Sequence, residues 1–123
     1  MERKRVMIVD DDREFIAELK EALELSGYDA VPVDDSNRAI ESALKVKPDV
    51  VLLDLKMPNK SGFEVAAELK RMPQFASVPI IAMSACYKDG DFSLLRVNGI
   101  VKYLSKPFDT EAAIAEISML LGS

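Results

Sequence analysis

Five short apolar runs divide this chain at regular intervals: Val6–Val9, Ala30–Val33, Val50–Leu53, Ile80–Met83 and Ile100–Leu104. Most are too continuous to alternate polar with apolar residues, which is how strands buried on both faces of a parallel sheet read. The segments between them carry helical spacing. Phe15, Ile16, Leu19 and Leu23 share one face of the first, which Gly27 ends. Ala39, Ile40, Ala43 and Leu44 mark the second, predicted to stop before Pro48 because a residue preceding proline avoids helical backbone. Phe63, Ala66 and Leu69 mark the third, opened by Ser61 with Glu64 three residues on as a capping box. Ala113, Ile114, Ile117, Leu120 and Leu121 mark the last. The stretch from Lys88 to Asn98 is the weakest: Asp89-Gly90-Asp91 is poor helix, and only Phe92, Leu94, Leu95 and Val97 support one.

Strand–helix alternation repeated five times predicts a doubly wound α/β domain with right-handed crossovers and helices on both faces of a parallel sheet. With 123 residues, 49% of them apolar, the chain suits a single domain over residues 1–123 with one real core and no internal linker. A single cysteine excludes an internal disulfide framework. The absence of histidine removes histidine-based catalysis and most zinc sites. The basic start Met1-Glu2-Arg3-Lys4-Arg5 precedes an apolar run that meets three aspartates after Val9, too short for a signal peptide or membrane span. A net charge of −5 without a strong basic patch argues against nucleic-acid binding. The expectation is a soluble cytoplasmic domain.

The polar residues collect after the strands. Asp10-Asp11-Asp12 follow the first, Asp54 the third, Ser84 the fourth, and Ser105-Lys106-Pro107 the fifth. Ligands of open parallel sheets bind beyond the carboxyl ends of the strands, near the point where strand order reverses. In a sheet of order 2-1-3-4-5, Asp10, Asp11, Asp54, Ser84 and Lys106 converge on one edge, while Asp34 and Asp35 sit to the side. Three carboxylates so close repel one another and raise their pKa values unless a positive charge sits among them. Lys106 is one such charge, and a hard divalent cation such as magnesium, which takes oxygen ligands, is another. A cation site facing a free carboxylate, with a hydroxyl and an ammonium opposite, is a layout for phosphoryl transfer. Asp54, alone at its strand end with Lys56-Met57-Pro58 turning away, is the candidate nucleophile.

Blander readings exist for each residue. Asp12 is a natural helix N-cap and its neighbours could be solvated; Asp54 could be a turn aspartate and Ser84 a turn hydroxyl. Lys106 could be a surface charge, and Tyr103 could simply pack. Cys86 is read as a bystander.

Four segments together resemble the receiver domain of two-component response regulators: Val6-Met7-Ile8-Val9-Asp10-Asp11-Asp12; Pro48 through Pro58, then Gly62; Val78 through Ala85; and Tyr103-Leu104-Ser105-Lys106-Pro107-Phe108. The resemblance implies a flavodoxin-like, three-layer (βα)5 sandwich. It implies a phosphorylation-dependent switch, not a conventional enzyme, fed by a histidine kinase or phosphotransfer protein. Asp54 would accept the phosphoryl group. Asp11 would bind Mg2+ directly and Asp10 through water, with Asp54 and the main-chain carbonyl of Lys56 completing the set. Ser84 and Lys106 would bind the phosphoryl group, Tyr103 would be the aromatic switch, and the Lys106–Pro107 bond would be cis. The face formed by the fourth helix, fifth strand and fifth helix would be read by a downstream protein or an output domain that this chain lacks.

Lys56 and Cys86 depart from common family choices beside the site and suggest slow loss of the phosphoryl group. Ile100, where the family usually has a small residue, suggests with the weak fourth helix an unusual readout surface. Two alternatives stand beside the switch. One is a degenerate receiver acting as a constitutive interaction module, against which the full acid, hydroxyl and lysine set speaks. The other is a phosphohydrolase similar to the haloacid-dehalogenase-like enzymes, whose nucleophile follows the first strand in a pattern that Asp10-Asp11-Asp12-Arg13 does not match.

Overall fold

The computed structural model describes residues 2–85 and 92–122. Five parallel strands form one sheet of order β2-β1-β3-β4-β5, with β1 Arg5–Val9, β2 Asp29–Val33, β3 Val50–Asp54, β4 Ile80–Ser84 and β5 Ile100–Ser105. Each predicted strand is present, longer by one residue at one end or, as with β1 and β2, at its start. The helices are α1 Arg13–Leu25, α2 Ala39–Val46, α3 Gly62–Lys70, α4 Phe92–Val97 and α5 Thr110–Leu121. Two short 3-10 turns, Ser36–Arg38 and Pro73–Phe75, lead into α2 and β4.

The continuous apolar strands are explained by burial on both sides. Alternate residues of β1, β3 and β4 enter two separate cores. Ile8, Leu52, Ile81 and Met83 pack with Ile16, Leu19 and Leu23 of α1 and Ile117 of α5. Met7, Val51, Leu53 and Ala82 pack with Ala43 of α2, Val65 and Leu69 of α3 and Leu95 of α4. Each fully buried Val, Leu or Ile contributes about 1.5–3 kcal/mol, so the three central strands dominate the core.

Helix boundaries follow local chemistry. The Asp12 carboxylate accepts from the Phe15 N–H at 3.1 Å, capping α1. The Ser61–Glu64 capping box is complete: the Glu64 N–H donates to Ser61 Oγ at 3.2 Å and the Ser61 N–H to Glu64 Oε1 at 3.4 Å. Before Pro48, α2 ends on Lys47 in the left-handed region, φ 53. The fourth helix is short, as its composition suggests. Ile100 corrects one expectation: it is buried in the core beneath α4, so it supports that helix and is no part of an exposed readout surface.

Lys70 is a cross-link that the sequence does not announce. Its ammonium donates to the carbonyls of Phe75 at 3.2 Å, Ala76 at 3.3 Å and Val78 at 2.5 Å, and burial pulls its pKa below the ordinary lysine value. Its stem fills the space where a Cβ on Gly99, φ +78, would sit.

Candidate functional site

Parallel register brings the strand ends together. Val9 pairs with Leu53, Asp54 with Met83, and Ser84 with Ser105, so the next residues of β1 and β5 flank the end of β3–β4. Asp10, Asp54 and Ser84 are buried at this edge, while Asp11 is exposed at its rim. Asp10, Asp11 and Asp54 each offer a carboxylate oxygen within 4.8 Å of the others. Three hard oxygen donors on one rim suit magnesium, which takes one or two carboxylates and keeps waters.

The Lys106 ammonium supplies the positive charge in the acid cluster. It donates to Asp10 Oδ2 at 2.5 Å and lies 3.9 Å from Asp54 Oδ1. The other Asp10 oxygen accepts from the Asp12 N–H at 2.9 Å, so both oxygens of this buried carboxylate are engaged. Lys106 also sits over the Phe15 ring, 4.5 Å from its centroid, and Phe15 meets Phe108 edge-on at 5.6 Å. The Lys106–Pro107 peptide is cis, as the resemblance implies.

Asp54 has the perturbed pKa, pushed up to about 6. Burial is the largest cause, followed by the charge of Asp10; Lys106 and the Lys56 N–H, 3.5 Å from Oδ1, pull the other way, and Asp11 adds a smaller upward push. Repulsion among the carboxylates, the cause expected from the sequence, is outweighed by desolvation at the end of a strand buried on both faces.

Ser84 is joined to β5 through its main chain. Its carbonyl accepts from the Lys106 N–H at 3.0 Å and from the Tyr103 hydroxyl at 2.8 Å. Tyr103 is half-buried, packed beside the core under α4. Lys56 is exposed, and Cys86 lies outside the described residues. As expected, Asp34 and Asp35 sit aside: Asp34 pairs with Arg13 at 2.8 Å and Asp35 caps the turn into α2.

Two contributors were not read from sequence. Phe15 was assigned only to the core face of α1, and its contact with Lys106 depends on tertiary placement. Ser36, within an ordinary polar turn, reaches the loop after β3. A helical residue followed one turn on from an Asp run is a signal for neither.

The response regulator receiver domain family model matches residues 6–118. The polar-differentiation response regulator DivK of Brucella anthropi is 33% identical over 119 residues, covering 97% of each chain. Among solved structures, chemotaxis protein CheY4 of Vibrio cholerae superposes with a TM-score of 0.91 at 24% identity, covering 97% of this chain and 99% of that one. A CheY-like receiver domain protein from Methanospirillum hungatei gives 0.91 at 21% identity, covering 98% and 95%. These two likenesses concern the fold.

Proposed function

The chain belongs to the response regulator receiver domain family of two-component signalling, and we propose that it is a phosphorylation-dependent switch whose acceptor is Asp54. The observation that carries this is the buried Asp54 carboxylate, with Asp10 and Asp11 oxygens within 4.8 Å and the Lys106 ammonium at 3.9 Å.

With a pKa of about 6, Asp54 is ionised at neutral pH yet more basic than an ordinary carboxylate, which suits a nucleophile. One of its oxygens attacks the phosphorus of a phosphohistidine on a histidine kinase or phosphotransfer protein. The P–N bond breaks, the imidazole leaves with the electron pair and takes up a proton, and an acyl phosphate remains on Asp54. Asp11, Asp54 and the Lys56 carbonyl would hold Mg2+ directly and Asp10 through water; the bound ion supplies charge neutralisation for the phosphoryl oxygens. Lys106 holds the Asp10 carboxylate and offers its remaining N–H groups to the incoming group.

The phosphoryl group brings roughly 1.5–2 negative charges to this edge. Ser84, through its hydroxyl, and Lys106 would bond it, and any movement of Ser84 reaches Tyr103 through the hydrogen bond to the Ser84 carbonyl. Moving a two-state population from 1:99 to 99:1 takes about 5.5 kcal/mol of differential interaction, within reach of a few charge-assisted bonds. The face of α4, β5 and α5, where Phe92, Val97, Val101 and Met119 are exposed, would be read by a downstream protein or output domain. The proposed setting is the cytoplasm, on the ground that a receiver meets its phosphohistidine donor there. Among the described residues no helix is long and apolar enough to cross a membrane.

An acyl phosphate is cleaved by hydroxylamine, whereas a phosphoserine is not. Label incorporated from a phosphohistidine donor should be released by hydroxylamine and be absent from Asp54→Asn. Hydroxylamine-stable label, or label in that variant, would refute Asp54 as the acceptor.

A further inference from the structure

The loop between β3 and α3 carries the Lys56 carbonyl, and a side chain from another loop fastens it. Ser36 is only 2% exposed. Its Oγ donates to the Pro58 carbonyl at 2.8 Å and accepts from the Lys60 N–H at 3.1 Å. It therefore bridges the two residues on either side of Asn59, which turns the chain in the left-handed region at φ 73. Ser36 is itself held by the turn Ser36–Arg38, where the Asp35 carboxylate accepts from the Asn37 N–H at 3.0 Å.

The ends of the loop are fixed separately. The Leu55 N–H donates to the Met83 carbonyl at 3.0 Å, and the Gly62 N–H to the Leu55 carbonyl at 3.0 Å. A Cβ at Gly62 would overlap the Asp54 carbonyl, so the start of α3 rests on the Asp54–Leu55 peptide. On the α3 side, Lys60 pairs with Glu68 at 2.6 Å. Between these anchors residues 56–59 have no ladder: the Lys56 N–H reaches Asp54 Oδ1 at 3.5 Å, Met57 packs against the core, and the Ser36 hydroxyl ties Pro58 to Lys60 across the turn.

We infer that Ser36 is a positioning residue for the main-chain carbonyl of Lys56, setting the affinity of the acid cluster for magnesium. The inference rests on the proposed function, in which that carbonyl is a metal donor. Magnesium demands near-ideal octahedral geometry at about 2.0–2.1 Å, so small displacements of a carbonyl matter. Loss of a partner that orients a ligand typically weakens metal affinity about 10–100-fold.

The test is calorimetric titration of the full chain with MgCl2, alongside urea unfolding. Ser36→Ala should bind magnesium about 10-fold more weakly than wild type, and Ser36→Thr, which keeps the hydroxyl, should bind as wild type does. Ser36→Cys, close to serine in size but a weak hydrogen-bonding group, should repeat the loss and serves if the alanine variant does not fold. Lys70→Met removes a distant cross-link and should lower stability while leaving magnesium affinity unchanged. Equal affinity in wild type and the Ala or Cys variant would overturn the inference, as would a matching loss in Lys70→Met. A wild type that binds no magnesium would overturn the metal site itself, and the inference with it.

Discussion

Lys106 and Asp10 form a buried ion pair across the sheet edge, the ammonium 2.5 Å from Oδ2, with their side chains 19% and 1% exposed. The pair joins the loop after β5 to the end of β1 and leaves Lys106 within 3.9 Å of Asp54. One ammonium thus serves two buried carboxylates from different strands.

Removing that cation should expose the cost of the acid cluster. Lys106→Met is expected to lose about 3–5 kcal/mol of stability at neutral pH, because it leaves a buried carboxylate without its partner. Magnesium should restore much of the loss by binding only the folded state. Urea unfolding with and without MgCl2 measures both effects; a variant as stable as wild type would contradict the role given to Lys106.

The Asp54 pKa of about 6, against 3.8 ordinarily, fixes the sign of a pH effect. Between these values the folded chain holds a proton that the unfolded chain releases, so metal-free stability should fall as pH rises from about 4 to above 6. This is opposite to a salt-bridged carboxylate. Asp54→Asn, which cannot ionise, should lack that component and be more stable than wild type at pH 8 by about 1–3 kcal/mol. An Asp54 carboxyl titrating near 4 by NMR would contradict the effect of burial described for it.

Tyr103 donates to a carbonyl that the Lys106 N–H also occupies. Tyr103→Phe should therefore cost only about 0.5–1.5 kcal/mol. Its larger effect should fall on signalling: a fluorinated tyrosine at 103 should change its 19F shift on phosphorylation. An unchanged shift, with Asp54 fully phosphorylated, would leave Tyr103 a packing residue.

Lys56 is exposed two residues past Asp54, the proposed acceptor, and its N–H reaches that carboxylate at 3.5 Å. A long cation there can screen the phosphoryl group from attacking water. Lys56→Asn, and Cys86→Asn two residues past Ser84 in the sequence, should shorten the half-life of the acyl phosphate several-fold. Unchanged half-lives by timed mass spectrometry would remove both residues from control of its lifetime.

The fold was legible because apolar continuity and helical spacing are local signals. Runs such as Val50–Leu53 can be satisfied only by burial on both faces, and Ser61 with Glu64 encodes its own helix start. The convergence of Asp10, Asp54, Ser84 and Lys106 follows from the strand ends once the sheet order 2-1-3-4-5 is granted, and that order is not written in the apolar runs. Other features needed three dimensions. The Ser36 clamp joins residues 22 and 24 positions apart in sequence, and Phe15 meets Lys106 only because α1 and the loop after β5 share a sheet face. Ile100 was correctly placed in the fifth strand, but its burial was not legible, because this strand at the sheet edge buries one residue only and shows little alternation.

The most direct measurement is the intact mass of wild type and Asp54→Asn after incubation with acetyl phosphate, with and without MgCl2. Wild type should gain the mass of one phosphoryl group only when magnesium is present, and Asp54→Asn should gain none. A wild type that stays unmodified with both acetyl phosphate and a phosphohistidine donor, or a variant that gains the same mass, would contradict phosphorylation of Asp54 as the basis of the switch.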